Sequence, residues 1–223
     1  MEYNRNEVYS GDVEQTAYNE SFHKVLRLFT ISVLVAFIGT AVGTQLPPAL
    51  FLPLVIVEVV MLIAAMFMRK RRIGYGFLFT FVFISGITIY PAIAYYVSSG
   101  GAGMVNTAFI LTVIIYASLT YYAYKSQRDF SFLGGFLMIG IIALIGFSLV
   151  GLFLPGLHSG PLGLGIAFGG VLIFSGFVLY DVSQYKHGVP EDMIPTAVLG
   201  LYLNFINLFL YLLRLLNILN SDD

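Results

Sequence analysis

Apolar runs about 20 residues long, the length a helix needs to cross a bilayer, recur along almost the whole chain. They cover 26–46, 49–68, 73–97, 104–124, 130–154, 161–181 and 193–219. Polar or turn-forming residues interrupt them at Pro47-Pro48, Arg69 to Arg72, Ser98 to Gly103, Lys125 to Asp129, Pro155 to Gly160 and Val182 to Asp192. Connections this short set neighbouring segments antiparallel in one bundle. The pattern predicts an all-α polytopic membrane protein. A seven-helix transmembrane domain over 26–223 follows a polar tail at 1–25. That tail is rich in Asn, Glu and Tyr and has no apolar run before Leu26, so it reads as a mobile cytoplasmic extension and not as a cleaved leader.

Composition agrees with the pattern and removes whole classes of function. Of 223 residues, 58% are hydrophobic and 10% charged, against about a quarter charged in a soluble domain. With a mean hydropathy of +0.88, a soluble enzyme, a disordered regulator and a nucleic-acid binder are excluded. The lipid bilayer is the first partner implied. A net charge of -1 points to no acidic or basic partner, and the absence of Cys removes disulfides and thiolate chemistry together.

Placing the N-terminus in the cytoplasm puts Arg5, Lys24, Arg27, Arg69, Lys70, Arg71, Arg72, Lys125, Arg128 and Lys186 on the inside and no basic residue in an outer loop. That is the arrangement the positive-inside rule expects. Arg214 lies within the last apolar segment, which either spans fully or re-enters. Gly39 to Gly43 and Gly165 to Gly169 are G-x-x-x-G patterns that let helices approach closely. They serve packing within one monomer or, alternatively, a dimer face.

Three charged side chains stand inside apolar segments: Glu58, Asp181 and Arg214. Each costs a few kcal/mol at mid-bilayer unless paired or hydrated, so each is a functional candidate. The plain alternatives are a helix-to-helix anchor for Glu58, a hydrated helix-end carboxylate for Asp181 and a snorkelling side chain for Arg214. In the last segment Thr196, Gly200, Asn204, Asn207, Tyr211 and Arg214 share an arc about 80° wide at helical periodicity. Lipid offers such a stripe no partners, so this helix is expected to be central, with the others around it. Ser85, Thr88 and Tyr95 add a second polar edge around Pro91, which is expected to kink the third segment.

Several intramembrane chemistries lack their residues. No Lys lies in a span to carry a retinal Schiff base, no His to serve a serine protease, and no second intramembrane Asp to serve an aspartyl protease. There is no P-loop, and the three His residues are too scattered for zinc. No enzyme and no bound cofactor is expected. A passive pathway, a coupled carrier or a non-conducting regulator remains. Carboxylate, amide and hydroxyl oxygens suit a hard cation such as Ca²⁺, held weakly enough to leave. Asp181 and Glu58 are its candidate transient ligands. A proton-linked gate at Asp181 also fits, since burial favours a neutral carboxyl. An Arg of the 69–72 run is available either to repel cations or to clasp Asp181 as a latch.

The run Val178-Leu179-Tyr180-Asp181, followed by Pro190-Glu191-Asp192-Met193-Ile194-Pro195 and by Leu201-Tyr202-Leu203-Asn204-Phe205-Ile206-Asn207-Leu208-Phe209, resembles the Bax inhibitor-1 (transmembrane Bax inhibitor motif) family, and its small bacterial members most. Leu52-Pro53-Leu54 with Glu58, Phe67-Met68-Arg69, Ser85-Gly86-Ile87-Thr88 with Pro91, and Asp129 to Leu133 agree with it. The resemblance runs from about Leu26 to the end. It implies a seven-helix fold with a central last helix and a pH-sensitive Ca²⁺ leak. It further implies that aspartates from spans 6 and 7 share a proton near the cytoplasmic mouth and that an Arg after span 2 latches onto the first. Asp181 matches the first aspartate, Arg69 the latch and Glu58 a carboxylate lining the pathway. Asn204 stands where the second aspartate is expected, so the coupled titration is lost and the pH response is altered.

The resulting expectation is a calcium-permeable leak channel, multi-pass in a prokaryotic plasma membrane, gated by Asp181, Asn204 and Arg69. Glu58, Ser85, Thr88, Asn207, Tyr211 and Arg214 line the pathway, and calcium and protons are the ligands. The rivals are a non-conducting regulator of other membrane proteins, membrane proteases among them, and a cation/proton antiporter using Glu58 or Asp181.

Overall fold

The computed structural model of the chain describes residues 5–67, 73–154 and 160–221. Six α-helices follow one another: α1 (Arg5–Gly43), α2 (Phe51–Phe67), α3 (Tyr75–Lys125), α4 (Leu133–Phe153), α5 (Gly160–Tyr185) and α6 (Ile194–Ser221). All six contain a stretch long and apolar enough to cross a membrane. Among the described residues there is no strand, so the spans pair their backbone polar groups mainly within helices.

Two elements depart from the expected bounds. The 51 residues of α3 comprise two helical arms that meet at a kink at Gly101, and each arm, at about 36–39 Å, is long enough to cross a bilayer's hydrocarbon core. The segments expected at 73–97 and 104–124 both lie on α3. The expected six-residue loop between them reduces to Gly101, the one residue with non-helical angles there (φ 80, ψ 163). That conformation is essentially restricted to glycine. Pro91 lies inside α3, and the break falls ten residues later, at Gly101. The second departure is α1, whose helix begins at Arg5, well inside the polar tail, although its apolar part starts only at Glu20. We expect Gly101→Ala to lower stability by about 1–3 kcal/mol, read as a reduced melting temperature in detergent.

Prolines set the other entries. Pro48 opens a 3-10 turn (Pro48–Leu50) ahead of α2, and Pro53 falls in the first turn of α2, where a missing N–H costs little. Pro190 precedes a second 3-10 turn (Glu191–Met193) that leads into α6. α6 then runs uninterrupted for 28 residues, about 42 Å, which is long enough for a full crossing.

Residues 1–88 with 184–202 form one compact unit, and residues 89–183 with 203–223 form a second. In the first, α1 and α3 touch backbone to backbone. A Cβ on Gly39 would collide with the carbonyl oxygen of Phe83, and one on Gly86 with Ala36. Thr40 Oγ1 reaches across this contact to the carbonyl of Gly86 at 2.9 Å. The Gly39 to Gly43 pattern thus serves packing within the monomer. In the second unit, α5 packs on α6 through Gly170, which faces the ring of Tyr211. It packs on α4 through Gly176 against Leu137 and through Ile173 against Gly140. Gly165 and Gly169 meet nothing within 4 Å of an added Cβ, so that pattern takes no part in these contacts.

Burial separates α6 from the rest. None of its residues from Ile194 to Ile218 is exposed, and 61% of its apolar window is buried, the largest share among the six helices. The polar stripe predicted this enclosure. α2 is its opposite, with no buried residue.

Candidate functional site

Each unit contains one intramembrane carboxylate bonded to an uncharged partner. In the second unit, Asp181 lies one turn before the end of α5 and Asn204 in the first half of α6. Asn204 Nδ2 donates to Asp181 Oδ2 at 2.7 Å. Asn204 is buried at 7% exposure, and Val178 and Val182, flanking Asp181 on its own helix, are fully enclosed. In surroundings this apolar a hydrogen bond to a carboxylate is stronger than in water, and losing it costs correspondingly more. The amide supplies its donor whatever the pH, where a carboxyl partner would do so only when protonated.

Further along α6 the stripe residues have separate neighbours. Asn207 Nδ2 donates to the Leu203 carbonyl of its own helix at 2.8 Å. Tyr211 stacks on Phe174, with centroids 5.7 Å apart. Arg214 lies within electrostatic reach of the hydroxyls of Tyr96 and Tyr211. Ser99 Oγ donates to Asn217 Oδ1 at 2.7 Å. Asn217 was absent from the expected set, since at helical periodicity it lies about 60° outside the arc of the stripe.

The first unit brings Glu58, Ser85 and Thr88 together. Thr88 Oγ1 lies 2.5 Å from Glu58 Oε2 and 3.0 Å from the Ser85 carbonyl. One hydroxyl proton can serve only one of these acceptors at a time. Ser85 is buried and Glu58 half-buried. Tyr202 of α6 joins this group, its hydroxyl beside Ser85 and within reach of Glu58. The periodicity concealed it, because it lies off the polar stripe among leucines. Also unanticipated are the ion pair of Lys24 with Glu191 at 2.5 Å and the bond from Val189 N to Ser21 Oγ at 3.1 Å. They tie α1 to the segment before α6. Both charges of the pair are well exposed, and such pairs contribute about 0–1 kcal/mol.

Arg69, expected as the latch, lies outside the described residues with the rest of the 69–72 run. No group of three or more His, Cys, Asp or Glu able to hold a metal occurs among the described residues. What the geometry offers is oxygen and amide chemistry around single carboxylates.

Six helices long and apolar enough to cross a membrane make this a multi-pass membrane protein. The sequence profile of the family described as "Inhibitor of apoptosis-promoting Bax1" matches residues 18–221, and the chain belongs to that family. An uncharacterized protein of Campylobacter jejuni is 31% identical over 98% of both chains. Bax inhibitor 1 of Schizosaccharomyces pombe is 35% identical over 67% of this chain and 54% of its own length. A Golgi anti-apoptotic protein of vaccinia virus is 32% identical over 69% of this chain and 62% of its own.

Proposed function

We propose that the protein is a calcium-permeable leak channel of the plasma membrane, with its N-terminus in the cytoplasm and a proton-sensitive gate at Asp181. The observation that carries this reading is the 2.7 Å bond between Asp181 and Asn204. A carboxylate is held among apolar side chains by one neutral donor, near the helix end that the basic residues assign to the cytoplasm. A carboxylate so placed depends closely on its single donor. Ionised, it attracts a cation or an arginine; neutral, it releases either. Glu58, held by Thr88, supplies a second carboxylate for a passing ion.

The test is Ca²⁺ influx into proteoliposomes containing the purified protein. Influx down the Ca²⁺ gradient alone, changing with pH, is the expected result. We expect Asp181→Ala to flatten the pH response several-fold. An unchanged profile would remove Asp181 from the gate, and no influx at all would end the channel reading. Relatives named for inhibition of Bax and for anti-apoptotic action favour a second reading, in which the protein regulates other membrane proteins and conducts nothing. It would then give no flux and co-purify with a membrane partner. Flux that requires a pH difference would instead mark a cation/proton antiporter.

A further inference from the structure

Tyr202 is fully buried, and its hydroxyl makes no hydrogen bond. It lies in the first unit with Glu58, Ser85 and Thr88, its hydroxyl beside Ser85 and within electrostatic reach of Glu58. Ser85 is 5% exposed. Three hydroxyls and one carboxylate therefore converge where α2, α3 and α6 meet. An unpaired hydroxyl in an apolar interior lowers stability, and phenylalanine would fill the same volume without that penalty. A phenol placed beside a carboxylate under this penalty suits a partner that comes and goes.

We propose that Glu58, Ser85, Thr88 and Tyr202 form an intramembrane site for a hydrated cation. Glu58 supplies the charge, and the hydroxyls of Tyr202 and Ser85 bond to water that the cation carries. A site of this kind needs several polar partners for each water, and these side chains provide them. One carboxylate gives weak binding, which lets an ion pass on. The inference rests on the calcium-leak reading only for the identity of the ion, and it adds Tyr202, which that reading does not use.

The experiment compares the full-length protein with Tyr202→Phe and Ser85→Ala in two measurements. One is thermal unfolding in detergent with and without millimolar CaCl₂ against a choline chloride control. The other is Ca²⁺ influx into proteoliposomes. Tyr202→Phe is expected to melt at or above the wild-type temperature without Ca²⁺, yet to lose most of the Ca²⁺-induced rise. It should also need several-fold more Ca²⁺ for half-maximal influx, and Ser85→Ala should shift both readouts the same way. A Ca²⁺-induced rise equal to wild type in Tyr202→Phe overturns the proposal, as does a wild type that does not respond to Ca²⁺. A Tyr202→Phe variant that melts lower without Ca²⁺ also overturns it, because the hydroxyl would then be structural. A wild type stabilised by Ca²⁺ through Tyr202 but without influx would uphold the site and sink the leak.

Discussion

Gly86→Leu is expected to abolish the folded protein, leaving no monodisperse species on size-exclusion chromatography in detergent. The cause lies in what the new side chain would meet. Its Cβ would collide with the carbonyl oxygen of Ala36 and stand 2.8 Å from that residue's carbonyl carbon and Cα. These are backbone atoms, and unlike a flexible side chain they cannot rotate away. Overpacking against side chains costs about 1–3 kcal/mol. Here α1 and α3 must separate, which also breaks the 2.9 Å bond from Thr40 to the Gly86 carbonyl. The total exceeds about 3 kcal/mol, a large part of the stability of a typical domain. Gly135→Leu is the control. An added Cβ there meets nothing within 4 Å, so it should elute and melt as wild type. Wild-type behaviour of Gly86→Leu would show that the two helices do not depend on this contact.

What was legible in the sequence follows from which physical property each signal reports. Runs of apolar residues report burial in lipid, and they located every helix. They carry no information on backbone angles, so Gly100-Gly101-Ala102-Gly103 read as a loop whereas only Gly101 leaves the helix. Polarity likewise does not forbid helix, which is why Arg5 to Asn19 continue α1. The stripe from Thr196 to Arg214 was legible because lipid cannot satisfy polar groups, and the near-complete enclosure of α6 follows from the same rule. The partnership of Asp181 with Asn204 was legible only through the family resemblance, because no local spacing rule pairs positions on two different helices. Tyr202 was not, because it lies off the stripe among leucines and its hydroxyl matters only once Ser85 and Glu58 are beside it. Lys24 and Glu191 are 167 residues apart, and no local spacing rule connects them.

Asn204→Asp is expected to change the pH dependence of Ca²⁺ influx from one transition to two. In the wild-type protein Asp181 is the only titratable member of the pair, because the Asn204 amide donates at every working pH. Placing a second carboxyl 2.7 Å from Asp181 sets two like charges against each other. At an effective dielectric of 20 their repulsion is about 4 kcal/mol at 4 Å, several times thermal energy, so the second carboxyl ionises only at a pH well above that of the first. One proton is retained to bridge the two oxygens where the amide hydrogen now sits, and the geometry needs little adjustment. The carboxyls then titrate as a unit, with two macroscopic steps belonging to the pair rather than to either residue. Asn204→Ala separates this from loss of the donor alone. It leaves Asp181 without its partner, so one transition should remain while stability falls by about 1–3 kcal/mol. Influx measured in proteoliposomes over a series of pH values decides the matter. Superimposable profiles for wild type and Asn204→Asp would show that position 204 does not set the charge of Asp181.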